Sequence, residues 1–179
     1  VYNPRSERFC RTKEQLIQQA YEFAVSDHHF AVKYAVIHDI LWHWTEYDGK
    51  YGGNQHWSKK AVDAWQSGIR KDFYIEDHVV PRKYFIDFLI RKTPVEISEH
   101  SVKEIFQKHL VSCVITKEED KRLRELKISQ RMPDEFDDPN HLDKGNTWIR
   151  YEKADIVPLG VAWDEAKKNI IATYKMDFE

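Results

Sequence analysis

The spacing of apolar residues changes period at residue 69, and this switch limits the fold more than any other feature of the chain. Before it, "TKEQLIQQAYEFAV" opens with Thr12 and Gln15 at capping-box spacing and sets Leu16, Ala20, Phe23 and Ala24 on one helical face. "FAVKYAVIHDILWHW" is apolar nearly all round, which predicts a helix buried on most sides. The glycines of "YDGKYGGN" then break the chain. "HWSKKAVDAWQSG" predicts a short helix capped by Ser58 and stopped near Gly68.

After the switch, "IRKDFYIEDHVV" carries Phe73 and Ile75 at period two and predicts a strand. Pro81 suits the first turn of a following helix, whose apolar stripe is Tyr84, Phe85, Phe88 and Leu89. "SVKEIFQKHL" predicts another helix with a Ser101/Glu104 box, and "LVSCVI" a second short strand. Thr116 caps the predicted helix "KEEDKRLRELKIS". Residues 132–147 read as a polar loop, and "WDEAKKNIIATYKM" reads as helix in preference to strand. There is no internal repeat or low-complexity tract. The expectation is an α+β fold, with a helical region at 1–68 and a mixed region at 69–179.

At 179 residues the chain suits one domain, or a domain with a helical appendage. An apolar share of 41% and an aromatic share of 13% exclude a disordered tail. No run of about 18 apolar residues exists, so a membrane-spanning helix is not expected. The opening "VYNPRSERFCRTKEQ" starts without Met, as a trimmed chain would, and lacks the apolar segment of a signal peptide. Cys10 and Cys113 are too few and too scattered for a disulfide framework or a zinc knuckle, which predicts a reducing cytoplasm. A net charge of −2 means that any nucleic-acid contact comes from a local patch.

The chemistry concentrates in "FYIEDHVVPRKYF". Hydrolysing a phosphodiester needs a base to activate water and a divalent metal to stabilise the leaving oxygen. Histidine titrates near neutrality and suits the first task, and a hard cation prefers carboxylate oxygens. Asp77 and His78 can supply one ligand and one base from opposite sides of a strand end, with Glu118, Glu119 or Asp120 closing the site from a helix. Arg82 and Lys83 lie on one connection, and Lys121, Arg122, Arg124, Lys127 and Arg131 follow the ligand helix. Arg124, Lys127 and Arg131 fall on one predicted helical face, where they can meet a phosphate backbone.

"EDHVVPRKYFIDFL" together with "HLVSCVITKEEDKRL", about residues 70 to 127, resembles the HNH, or ββα-metal, nuclease family. The resemblance implies a helical half followed by a ββα-metal core with a helical insertion. It implies that Asp77 binds metal, that His78 is the general base, and that Asp120 or Glu119 replaces the family's helical histidine. The family's middle asparagine is absent, with His109 as its positional substitute, and its zinc-bracing cysteines are missing. A Mg²⁺ or Mn²⁺ ion and a nucleic-acid substrate are implied, DNA before RNA. The setting would be restriction, phage defence or a mobile element. Oligomeric state stays open, a dimer included.

Plainer readings compete. Asp77-His78 can be a turn where strand passes into helix, Glu119 completes a capping box with Thr116, and His109 suits a helix C-terminus. Asn140, His141 and Asp143 read as a solvated turn before a ligand cluster. "HDILWHW" resembles the HD phosphohydrolases through His38-Asp39, and His28 and His29 could supply a missing histidine, but an aromatic core explains these letters too. The rival functions are a non-catalytic interaction protein on a degenerate HNH-like scaffold, with the tryptophan-rich helical half as binding surface, and an RNA-cleaving toxin.

Overall fold

The computed structural model describes residues 11–176 except positions 50, 71, 72, 92 and 94. Cys10 and the opening segment read above for a leader lie outside the described residues. α1 (Lys13–Val25) and α2 (Phe30–Thr45) come first, then β1 (His56–Ser58), α3 (Lys59–Gln66) and β2 (Tyr74–His78). They are followed by α4 (Arg82–Arg91), α5 (Glu99–His109), β3 (Ser112–Thr116), α6 (Lys117–Glu125), α7 (Ile149–Lys153), β4 (Pro158–Asp164) and β5 (Asn169–Lys175). The fold is α+β, as expected.

Local chemistry sets most helix starts. In α1 the Gln15 amide donates to Thr12 Oγ1 at 3.2 Å, and the Thr12 amide returns a bond to Gln15 Oε1 at 2.8 Å. Pro81 opens α4, its carbonyl accepting from the Tyr84 amide at 2.9 Å. The box of α5 lies three residues earlier than expected. Ser98, not Ser101, is its N-cap, and Ser101 supplies the returning hydroxyl. α1, α2, α4 and α5 bury a common core that includes Leu16, Ala20, Ile37, Leu41, Phe85 and Phe106. The expectation that α2 is buried on most sides fails in its first turns, where Phe30 is 56% exposed. Only the face meeting α1 and α4 is covered.

The sheet has the order β2-β3-β1-β4-β5. β2 and β3 pair antiparallel, with Asp77 opposite Cys113 and His78 opposite Ser112. β1 runs parallel to β3 and antiparallel to β4. Three residues long, it shows no readable alternation, yet its Trp57 is fully buried among Trp65, Tyr74 and Trp163. The C-terminal segment is a hairpin, not the expected helix. Its β-branched run "NIIAT" pairs with β4, and the turn closes with Lys168 at φ 47 and the Lys167 amide on Asp164 Oδ1. Gly160 is required there, because a Cβ would sit 2.0 Å from the Tyr174 ring.

The order β2, helical insertion, β3, α6 is a ββα arrangement, with α6 packed on both strands. Thr116 and Glu119 cap α6 as predicted. The helix stops at Glu125, short of its expected end, in a Schellman turn. Ile128 donates to the Leu123 carbonyl at 3.0 Å and Lys127 to that of Arg124 at 2.9 Å, with Lys127 at φ 59. Arg124, Lys127 and Arg131 therefore do not share a helical face. The expected boundary at residue 68 falls inside both layers. β1 and α3 precede it but belong with the sheet, whereas α4 and α5 follow it and pack on α1 and α2. Among the described residues no helix is long and apolar enough to cross a membrane.

Candidate active site

β2 leaves the sheet at Asp77-His78 and runs into the fully buried Val79 and Val80, so the strand end is pinned before α4 begins. Neighbouring side chains on a strand point to opposite faces. Asp77 accordingly turns towards α7, and His78 towards α2. A polar cleft of about 300 Å³ opens at this strand end and brings together Asp77, His78, Asp120, Arg82, Lys83, Tyr34 and His38.

On the first side, Asp77 Oδ2 accepts from the Tyr151 hydroxyl at 3.0 Å and lies 3.4 Å from Arg150 Nη1. Arg150 is fully buried. It donates to the carbonyls of His78 (2.7 Å), Val79 (2.8 Å), Ile128 (2.6 Å) and Ser129 (3.2 Å), tying β2 to the turn after α6. Burial pushes the Asp77 carboxyl above its ordinary range, the Arg150 charge and the Tyr151 hydrogen bond pull it back, and the nearby Asp120 charge pushes it up again. Burial together with the Asp77 charge holds the Tyr151 phenol well above its usual pKa.

On the second side, His78 Nε2 meets Thr45 Oγ1 at 3.0 Å. The Thr45 hydroxyl has one proton, and it faces the Leu41 and Trp42 carbonyls at 3.2 and 3.1 Å. With that proton committed, Nε2–H is the donor and Nδ1 keeps its lone pair. Burial, then the charges of Arg82 and Arg150, lower the His78 pKa to about 3. The imidazole is therefore neutral at pH 7. An anion bound beside Arg82 would offset the part of this shift that the cations cause and leave the larger part, due to burial, in place.

The other expected residues divide. Asp120, in the first turn of α6, lines the cleft and pairs with Arg124 at 2.9 Å. Glu119 does not enter the cleft. Its Oε2 accepts from Ser58 Oγ at 2.6 Å, the Thr116 amide at 2.8 Å and Thr116 Oγ1 at 3.0 Å, so the carboxylate is consumed in capping α6 and joining it to β1. His109 is elsewhere too, at the end of α5, beside a separate cavity of about 210 Å³ and against Phe136. It cannot orient His78, a task that falls to Thr45. Arg82 and Lys83 stand at the cleft, the latter 3.0 Å from Asp87. Lys121 lies on another surface and faces Glu125, and Arg131 folds back onto the Lys127 carbonyl.

The remaining histidines also sort. His38 walls the cleft, but its neighbour Asp39 pairs with Arg11 at 3.1 Å and His43 at 3.5 Å. His29 caps α2 and His28 packs against Phe23. Asn140, His141 and Asp143 form exposed local turns. Among the described residues no group of three or more His, Cys, Asp or Glu side chains could hold a metal ion. What the cleft offers is a carboxylate pair, Asp77 and Asp120. The sequence reading missed Thr45, Arg150 and Tyr151. "WIRYEK" has no spacing that marks it, and the sole hint was an arginine flanked by apolar residues. Compared with family models, curated proteins and solved structures, the chain matches none.

Proposed function

We propose that this protein hydrolyses phosphodiester bonds in nucleic acid, DNA first, with His78 as the general base. The observation that carries the reading is the cleft at the end of β2. Its lining brings a neutral imidazole, anchored by Thr45, together with two carboxylates and two cations. Nδ1 of His78 takes a proton from the attacking water. Arg82 and Lys83 hold the phosphate, and Thr45 keeps the ring in register. The setting is the cytoplasm, which suits the scattered cysteines.

A divalent ion is part of the proposal. Mg²⁺ is commonly held by one or two carboxylates plus substrate phosphate and water, not by a closed protein cage. Asp77 and Asp120 fit that donor set, since they face one cleft and the charge of Asp120 acts on Asp77. Among the described residues Tyr151 and Arg150 hold Asp77 through Oδ2, and its Oδ1 would take the ligand. Mg²⁺ or Mn²⁺ held there would stabilise charge on the leaving oxygen.

The test is cleavage of plasmid and of single-stranded circular DNA, with Mg²⁺ or Mn²⁺, by the parent, His78→Ala and His109→Ala. General-base catalysis contributes about 10²–10⁴-fold, so His78→Ala should lose that much while melting close to the parent, and His109→Ala should cut normally. Equal cleavage by His78→Ala would remove the assignment. A second reading has its own support. Glu119 is spent on capping and Asp77 is half of a buried ion pair, as in a non-catalytic scaffold that binds nucleic acid and does not turn it over. Binding without metal-dependent cleavage by the parent would select it.

A further inference from the structure

The exposed face of α2 carries three aromatic rings in file. Phe30, Tyr34 and His38 recur every four residues, which places them on one stripe of the helix. The Phe30 and Tyr34 centroids are 6.1 Å apart. Those of Tyr34 and His38 are 6.2 Å apart, with planes within 14° of parallel. The stripe begins in solvent at Phe30 and ends inside the cleft, whose wall includes Tyr34 and His38. Arg82 stands at that inner end, close enough for its charge to act on His38 and for Tyr34 to act on Arg82.

Single exposed apolar side chains are ordinary on protein surfaces. A file of rings leading into a cationic cleft is not, and its chemistry selects an occupant. Val32 and Ala35 are exposed beside the stripe, but its inner end is polar and charged, which an apolar protein surface docked along it would leave unmatched. Duplex bases are stacked on each other and present only their edges. Unpaired bases present their faces, and aromatic side chains beside a positively charged groove hold them with little regard to sequence. Deepening the function proposed above, we infer that the substrate is a single-stranded nucleic acid, whose unpaired bases lie on Phe30 and Tyr34 and deliver the adjoining phosphate to Arg82 and His78.

The test is fluorescence anisotropy with the whole chain in EDTA, which withholds metal. The probes are a labelled DNA strand, the RNA strand of the same sequence, and the DNA strand annealed to its complement. Single strands of at least one sugar should bind about 10-fold more tightly than duplex at equal salt. Phe30→Ala and Tyr34→Leu should each cost about 10-fold on the single strand and leave duplex binding unchanged. Tyr34→Phe should restore binding. Both positions are surface-exposed, and circular dichroism melts establish that the variants fold. Equal affinity for strand and duplex, or variants that bind like the parent, would overturn the inference. Hydrolysis of methyl p-nitrophenyl phosphate, a phosphodiester with no base, tests the chemistry separately. Ring-dependent binding without that hydrolysis leaves the platform standing and removes the nuclease. Hydrolysis without ring dependence does the reverse.

Discussion

His78 and His109 are built alike and placed differently. Each imidazole meets a threonine hydroxyl, Thr45 at 3.0 Å and Thr147 at 2.7 Å. Each of those hydroxyls in turn lies near a main-chain carbonyl, that of Leu41 at 3.2 Å and that of Lys108 at 3.4 Å. Burial depresses both pKa values, to about 3 for His78 and about 4 for His109. The surroundings part them. His78 has Arg82, Arg150 and His38 acting on it in a polar cleft with two carboxylates, whereas His109 sits against Phe136, with Lys108 acting on it, beside a cavity walled mainly by aromatic side chains with Asp137 and Lys144. A neutral, hydroxyl-anchored histidine is thus common to both sites. The denser charge around the His78 cleft is what the phosphate site proposed above rests on.

Removing the cation that supports His78 should break this comparison most sharply. Arg150→Met leaves Asp77 buried without its counter-charge and frees four carbonyls, a change that typically costs about 3–5 kcal/mol. Urea unfolding should show a loss of that size, and Asp77→Asn in the same chain should recover part of it. A loss under about 1 kcal/mol, the scale of a surface pair, would mean that the clamp is not structural.

Acid should weaken both histidine sites. Each folded pKa lies below the ordinary value of 6.5, so between those limits the unfolded chain takes up a proton that the folded chain refuses. The stabilisation is complete above about pH 6.5 and is lost as pH falls, towards about 3 for His78 and about 4 for His109. Denaturant midpoints measured from pH 7 downwards should fall, and His78→Gln should flatten the curve more than His109→Gln. Parallel curves for parent and variants would show that other groups control acid sensitivity.

The smallest effect separates anchoring from catalysis. Thr45→Val and Thr147→Val each delete the hydroxyl that joins the ring to a main-chain carbonyl, and each should cost about 1 kcal/mol in a thermal melt. Turnover should fall for Thr45→Val alone, because only that hydroxyl meets the proposed base. Equal rates for the two variants would remove Thr45 from the site.

Much of the cleft was legible because its signals are local. The Thr116/Glu119 box and the Asp77-His78 pair before Pro81 are read within a few residues, and the ββα order followed from them. The same locality warned that Glu119 had a capping duty, which is where the structure places it. What stayed hidden depends on distant partners. β1 is a strand because β3 and β4 flank it, not because "HWS" alternates. Arg150 is buried because carbonyls at His78, Val79, Ile128 and Ser129 converge on it, and no spacing around position 150 announces them. The hairpin at the C-terminus was misread since "WDEAKKN" favours helix, while its β-branched continuation and the glycine under Tyr174 favour pairing.

The Arg150 clamp also sets a clock. Its guanidinium binds the His78 carbonyl across 72 positions of chain, and a ribosome delivers those positions in order, at about 5–20 residues per second. Until α7 has emerged, the strand end has no guanidinium to hold its carbonyls and Asp77 has neither of its partners. A strand end held on this plan takes its final shape only when nearly the whole of the described chain has been made.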